Sequence, residues 1–96
     1  MIELAIGIIL ACCALGAGIC MGIGAIGPGV GEGHAVANAC EAIGRQPESK
    51  GAVTTTMVMG CAIAETTGIY SLVIAILLIF VAPSTLVNTL MNAIGR

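Results

Sequence analysis

The sequence predicts an all-α membrane protein: a two-helix transmembrane hairpin that assembles into a homo-oligomeric ring. Three observations carry that prediction. The first is composition. Of 96 residues, 58% are hydrophobic and 8% charged, with a mean hydropathy of +1.12. A soluble domain needs about 25% charged residues to cover its surface. The second is that two apolar runs, each longer than the roughly 20 residues that cross a bilayer, are joined by one short polar stretch. The third is the placement of glycines in the first run.

The chain reads as a single domain over 1–96, with a first helix over about 4–43 and a polar turn at 44–51. A second helix covers about 52–82, and a tail covers 83–96. Backbone groups in lipid must be satisfied within their own segment, so both apolar runs are helical. The start, "MIELAIGIIL", lacks a basic leader, and its apolar character continues far past a signal sequence. It therefore reads as the beginning of the first helix.

Within that helix, "GAGICMGIGAIGPGVGEG" carries glycines that each cost about 1 kcal/mol against alanine. At about 100° per residue, Gly18, Gly22, Gly29 and Gly33 share one stripe. Gly16, Gly24, Gly27 and Gly31 share a second, nearly opposite stripe. A GxxxG-type dimer needs one bare face. Two bare faces let identical helices pack on both sides, and a small rotation per step closes the array into a ring. Cys12, Ile19, Ile23, Ile26 and Val30 form a large apolar face suited to lipid inside the ring. Ala14, Met21, Ala25, Pro28 and Glu32 form the face expected to meet the second helix.

The turn "GRQPESKG" holds two of the three basic residues, and Pro47 forces a break after Gln46. Arg45 and Lys50 favour a cytoplasmic turn, with both termini on the opposite side. The second helix answers the first with Gly60, Ala64, Gly68, Ser71 and Ala75 on one stripe. Pro83 is expected to close or kink it, and "STLVNTLMNAIGR" reads as one more amphipathic stretch.

Between Gly51 and Ala82 the only charged side chain is Glu65. A carboxylate in an apolar span costs several kcal/mol and marks a functional position. Glu32 lies about 14 residues before the turn and Glu65 about 18 after it, roughly 21 and 27 Å of helix. Both carboxyls thus fall at similar depth. Thr66, Thr67 and the Ile63 carbonyl add oxygens around Glu65, a donor set suited to a hard cation. Glu65 and Thr66 point about 100° apart on one helix, so one chain cannot easily offer both to one ion. In a ring, Glu65 of one copy meets Thr66 and the Ile63 carbonyl of the next. Thr67 either bonds back to its own helix or reaches the ion through a water.

Other classes fit less well. A net charge of −2 and two aromatics (Tyr70 and Phe80) give no nucleic-acid surface. The five cysteines, Cys12, Cys13, Cys20, Cys40 and Cys61, sit inside apolar runs without C-x-x-C spacing and read as small packing residues. No nucleophile–base pair or phosphate loop appears, so the chain by itself is no enzyme. A small membrane cation exporter needs more spans and aromatic walls. A purely structural proteolipid has no use for paired carboxylates at one depth.

"GPGVGEG", "GRQPE" and "AIAETTGIYSLVIAILL" resemble the c subunit, or proteolipid, of F-type ATP synthases over nearly the whole chain. The resemblance implies a ring of hairpins that turns as ions bind and leave at Glu65. It further implies that Arg45, Gln46 and Pro47 face the central-stalk subunits gamma and epsilon, and that an arginine-bearing stator, subunit a, lies outside the ring. Membrane lipids surround such a ring in the bacterial inner membrane. No tightly bound cofactor is implied, only Na⁺ or H⁺ as the transported ion.

Sodium-type members are the most similar, pairing the glutamate with a following Ser or Thr. The matching positions here are Glu65, Thr66, the Ile63 carbonyl, Glu32 and, in support, Tyr70. Glu32 departs from the pattern, because glutamine is the commoner sodium-type residue. One Na⁺ cannot neutralise two carboxylates, and two at close range do not both ionise cheaply. The expectation is Na⁺ on Glu65 and a proton kept on Glu32, with a proton-translocating ring as the alternative. His34 reads as a helix residue near the membrane interface.

Overall fold

A computed structural model describes residues 1–95. The chain forms helix α1 (Ile2–Gly24), helix α2 (Ile26–Arg45), a 3-10 turn (Pro47–Ser49), helix α3 (Lys50–Ile76), a π turn (Leu77–Val81) and helix α4 (Ala82–Ala93). Two runs, Ile2–Arg45 and Pro47–Ala93, are long and apolar enough to cross a membrane. Contacts divide the chain into two compact units, Ile23–Tyr70 and Met1–Gly22 with the segment from Ser71 onward.

The unit Ile23–Tyr70 is a helical hairpin. Its reversal is tighter than the sequence suggests, with α2 running to Arg45 and α3 starting at Lys50. Gln46 takes φ −136°, ψ 84°, the extended backbone that a following proline imposes. Pro47 opens the 3-10 turn, where its missing N–H has no bond to lose. The Ser49 N–H and hydroxyl both donate to the Gln46 carbonyl, at 2.9 and 2.7 Å. Arg45 pairs with Glu41 one turn back on an exposed face, a contact worth about 0.3–0.5 kcal/mol.

The first run is interrupted at Ala25 (φ −82°, ψ −15°), between α1 and α2. Pro28 is the cause: without an N–H it cannot bond the Gly24 carbonyl four residues back, and its ring crowds that carbonyl. The ladder resumes with the Gly29 N–H donating to the Ala25 carbonyl at 2.9 Å. Pro28, Ala39 and Gly68 are buried in this unit, and Glu32, Ala35, Ala42, Val53, Met57 and Cys61 are half-buried beside them. Gly60 and Ala64, expected on the contact stripe, are exposed. Gly60 instead lines a groove that opens between α2 and α3.

The second unit packs around Cys13, Ala17 and Ala75, all buried. A Cβ on Gly16 would lie 3.5 Å from Leu78 Cδ1, so this glycine faces the opposite run of its own unit. Ala14, expected on the contact face, is exposed. The Cys20 thiol donates to the Ser71 carbonyl at 3.5 Å, and all five cysteines are free thiols.

Pro83 does not end the helix. Its missing N–H is absorbed by the π turn, in which the Ala82 N–H reaches back five residues to the Leu77 carbonyl. The helix then continues as α4 to Ala93. Val87, Leu90 and Met91 are half-buried, and Ser84, Thr85, Asn88, Thr89 and Asn92 are exposed. Gly95, at φ +78°, closes the end in the left-handed conformation that glycine alone adopts freely.

Candidate ion site

The site is built in the hairpin Ile23–Tyr70. Glu32 projects from α2 and Glu65 from α3, and their carboxyl groups lie close enough to interact. Two carboxyls this close do not both ionise cheaply. The equal depth counted from the sequence thus becomes proximity of the two groups. Among the described residues no third Asp, Glu, His or Cys joins them as a metal cluster.

The pair rests on two residues that sequence reasoning gives only packing roles. A Cβ on Gly68 would lie 3.2 Å from Glu65 Oε1 and 3.5 Å from Pro28 Cγ. The bare Gly68 surface is therefore the seat of the Glu65 carboxyl, with Pro28 closing it from α2. The available signal is the spacing, since residues three apart share a helix face.

The hydroxyl oxygens are arranged differently. Thr66 Oγ1 donates to the Ile63 carbonyl, which sets two oxygens side by side on α3. Thr67 Oγ1 donates to the Ala64 carbonyl at 2.9 Å, the back-bonded one of its two expected states. Ile63 is 72% exposed and Tyr70 63% exposed. Glu65 lies about 200° around α3 from both Ile63 and Thr67, about 140° from Tyr70 and about 100° from Thr66. One chain therefore brings Glu32 to Glu65 and leaves the other oxygens turned away.

The glycine stripes follow the same division into flanks. A Cβ on Gly18, Gly22, Gly27, Gly29, Gly31 or Gly33 would meet nothing within 4 Å, so the chain leaves these surfaces open. Gly24 is half-buried. His34 is exposed, about 200° around α2 from Glu32. Arg45, Gln46 and Pro47 are exposed at the turn.

Residues 15–78 match the family model for the C subunit of ATP synthase. The chain belongs to this family. It is 57% identical over 79 residues to the ATP synthase c subunit of Thermotoga petrophila, covering 82% of this chain and 93% of that protein. The ATP synthase c subunit of Petrotoga mobilis is 59% identical over 69 residues, 72% of each chain. That of Alkaliphilus oremlandii is 55% identical over 76 residues, 79% of this chain and 85% of that one. The c subunit of an ATP synthase is a non-catalytic, ion-translocating rotor subunit of the membrane sector, built as a ring-forming helical hairpin. Two membrane-spanning helices and bacterial relatives assign it to a bacterial plasma membrane.

Proposed function

We propose that this chain forms a sodium-translocating ring whose ion sites lie in the seams between neighbouring copies. Glu65 of one copy, with Glu32 beside it, supplies the charged and neutral carboxyl oxygens. The next copy supplies the Thr66 hydroxyl and the Ile63 carbonyl, with Thr67 acting through a water and Tyr70 in support. The observation that carries this reading is the division of oxygens. The carboxyl pair occupies one flank of the hairpin, and Ile63 and Thr67 point about 200° away from Glu65. A second copy on the same flank completes the donor set for one hard cation.

With Na⁺ on Glu65 and a proton on Glu32, the closed site is neutral and can face lipid without an unpaired charge. Passage of the ion into and out of the site at a stator, subunit a, turns the ring. The turn residues Arg45, Gln46 and Pro47 meet the central stalk, gamma and epsilon, on the cytoplasmic side.

The test is carbodiimide labelling of the assembled ring, because the reagent attacks only a protonated carboxyl. Sodium competes with the proton at Glu65, so labelling should slow as sodium rises. The protection should weaken as pH falls, and Glu32→Gln should keep it. The closeness of the two carboxyls favours a second reading, a ring that carries protons alone. Labelling that ignores sodium across neutral and mildly alkaline pH selects that reading and rejects the sodium site.

A further inference from the structure

In the hairpin Ile23–Tyr70 the two runs turn unlike surfaces away from each other. His34 lies about 140° around α2 from the buried Ala39, Glu41 about 160° and Arg45 about 120°. All three are exposed. On α3, Met59 lies about 180° and Ile63 about 140° from the buried Gly68. Both are exposed, Met59 at 62%. The closeness of Glu32 to Glu65 fixes the relative level of the two runs. His34 and Ile63 each stand two residues from their own glutamate toward the turn. Met59 stands six residues from Glu65, which puts it nearer the turn than His34 by about 6 Å. Outward polar residues of the first run are therefore level with outward apolar residues of the second.

The unit made of Met1–Gly22 and the segment from Ser71 onward reverses the arrangement. Leu4 and Ile8 lie about 140° and 180° around α1 from the buried Ala17. Both are exposed, Leu4 at 61%. Thr85, Asn88 and Asn92 lie about 140–160° around α4 from the half-buried Leu90 and are exposed. A cleft lined by Met1, Ile2, Ala5, Leu90 and Ile94 sets the start of α1 beside the end of α4. Leu4 is therefore nearer the chain ends than Asn88. Here the first run is apolar outward where the second is polar.

One flat slab of lipid would make the two outward faces alike at each level, because a charge or an amide against acyl chains costs several kcal/mol. They differ at both ends, and in the same sense. On the outward side of α2 the apolar surface stops at the exposed Val30, whereas on α3 it reaches Met59. Counted from the paired glutamates, that is an offset of about 12 Å. We propose that the lipid against the first run, inside the ring, is displaced by about 12 Å toward the chain ends, so that water enters from the turn side down to His34. The inference rests on the ring reading above, with the first run inside, and adds the level at which the interior changes from water to lipid. Chemistry selects the two media. His34, Glu41 and Arg45 extend over about 16 Å of α2, more than a headgroup layer of about 5–8 Å, and the remainder needs water. Leu4 and Ile8 match acyl chains.

The experiment is thiol labelling of the full chain, as rings in membrane vesicles, with the five native cysteines replaced by alanine. The probe is a charged methanethiosulfonate that cannot cross lipid and that attacks a thiolate, a form disfavoured in apolar surroundings. Ring mass in mild detergent checks that each single-cysteine variant assembles. From the turn side, His34→Cys should label within about 10-fold of Lys50→Cys, and Met59→Cys about 100-fold more slowly, although Met59 lies nearer the turn. From the other side, Asn88→Cys should label fast and Leu4→Cys slowly, although Leu4 lies nearer the chain ends. The two ends test the displacement separately. Labelling that follows depth alone, with Met59→Cys faster than His34→Cys and Leu4→Cys faster than Asn88→Cys, overturns the displacement and leaves the ring standing. An intact ring in which His34→Cys is as slow as Val30→Cys overturns it too. Wild-type protein with no oligomer overturns the ring itself, and the displacement with it.

Discussion

At the scale of single residues, Gly68 decides how the site holds its carboxyl. Gly68→Ala places a methyl 3.2 Å from Glu65 Oε1, closer than nearly all real contacts. The carboxyl is the free end of a side chain, so it shifts by a few tenths of an ångström and the hairpin survives. The expected outcome is an intact ring in which sodium protects Glu65 from carbodiimide about 5–10-fold less well, the order of one weakened ligand contact. Unchanged protection would show that Gly68 is a packing residue only. The approach of Glu32 to Glu65 is legible in the sequence, because a rise of 1.5 Å per residue converts spacing into depth. The seat under Glu65 is not legible, because what a glycine does depends on which atoms lie opposite it. Nor is the state of Thr67, since a threonine chooses between its own helix and a partner by local geometry that no pattern encodes.

At the scale of elements, the sequence predicts two uninterrupted helices, and the structure breaks one and re-registers the other. Both changes occur near prolines that pattern reasoning treats too simply. Pro28 reads as part of a face, yet its missing N–H unseats the ladder at Ala25. Pro83 reads as a stop or a kink, yet a π turn passes the chain around it into α4. A hydrophobic pattern reports burial and says little about backbone bonds, so such adjustments escape it. If Pro28 causes the break, Pro28→Ala restores a donor to the Gly24 carbonyl. Amide hydrogen exchange should then find a new protected N–H at position 28 and added protection around Ala25. A break that persists would assign it to the surrounding glycines. The same variant removes Pro28 Cγ from beside Gly68, so the sodium protection of Glu65 should fall as well.

At the scale of the whole molecule, the membrane class and the repeated packing are the most legible features. Eight charged side chains among 96 residues leave no soluble alternative, and six bare glycines keep open surfaces on α1 and α2. Gly16 belongs by spacing to a stripe between copies and faces Leu78 instead, since a stripe gives direction without saying which partner fills it. Gly29→Val puts a branched side chain where neighbouring backbones should nearly touch, and overpacking of this kind costs about 1–3 kcal/mol per contact. Native mass measurement should show rings lost or changed in size, whereas Ile23→Val on the exposed back face should leave them intact. Equal tolerance at both positions would remove the argument for two-sided packing. The π turn has a consequence for chain length. Its five-residue reach holds one residue more than an α-helical register needs, so it is in effect an insertion that the fold has accommodated. The family match ends at residue 78, inside that turn, and α4 hangs beyond it as a separately phased appendage. Deleting the exposed Phe80 should restore the ordinary register and leave α4 facing as before, with Val87 still inward and Pro83 now without the wide turn that takes up its missing N–H. The thermal midpoint of the isolated ring should fall while sodium protection at Glu65 stays unchanged. The end of the chain can therefore lengthen or shorten one residue at a time without rewriting the machinery it is attached to.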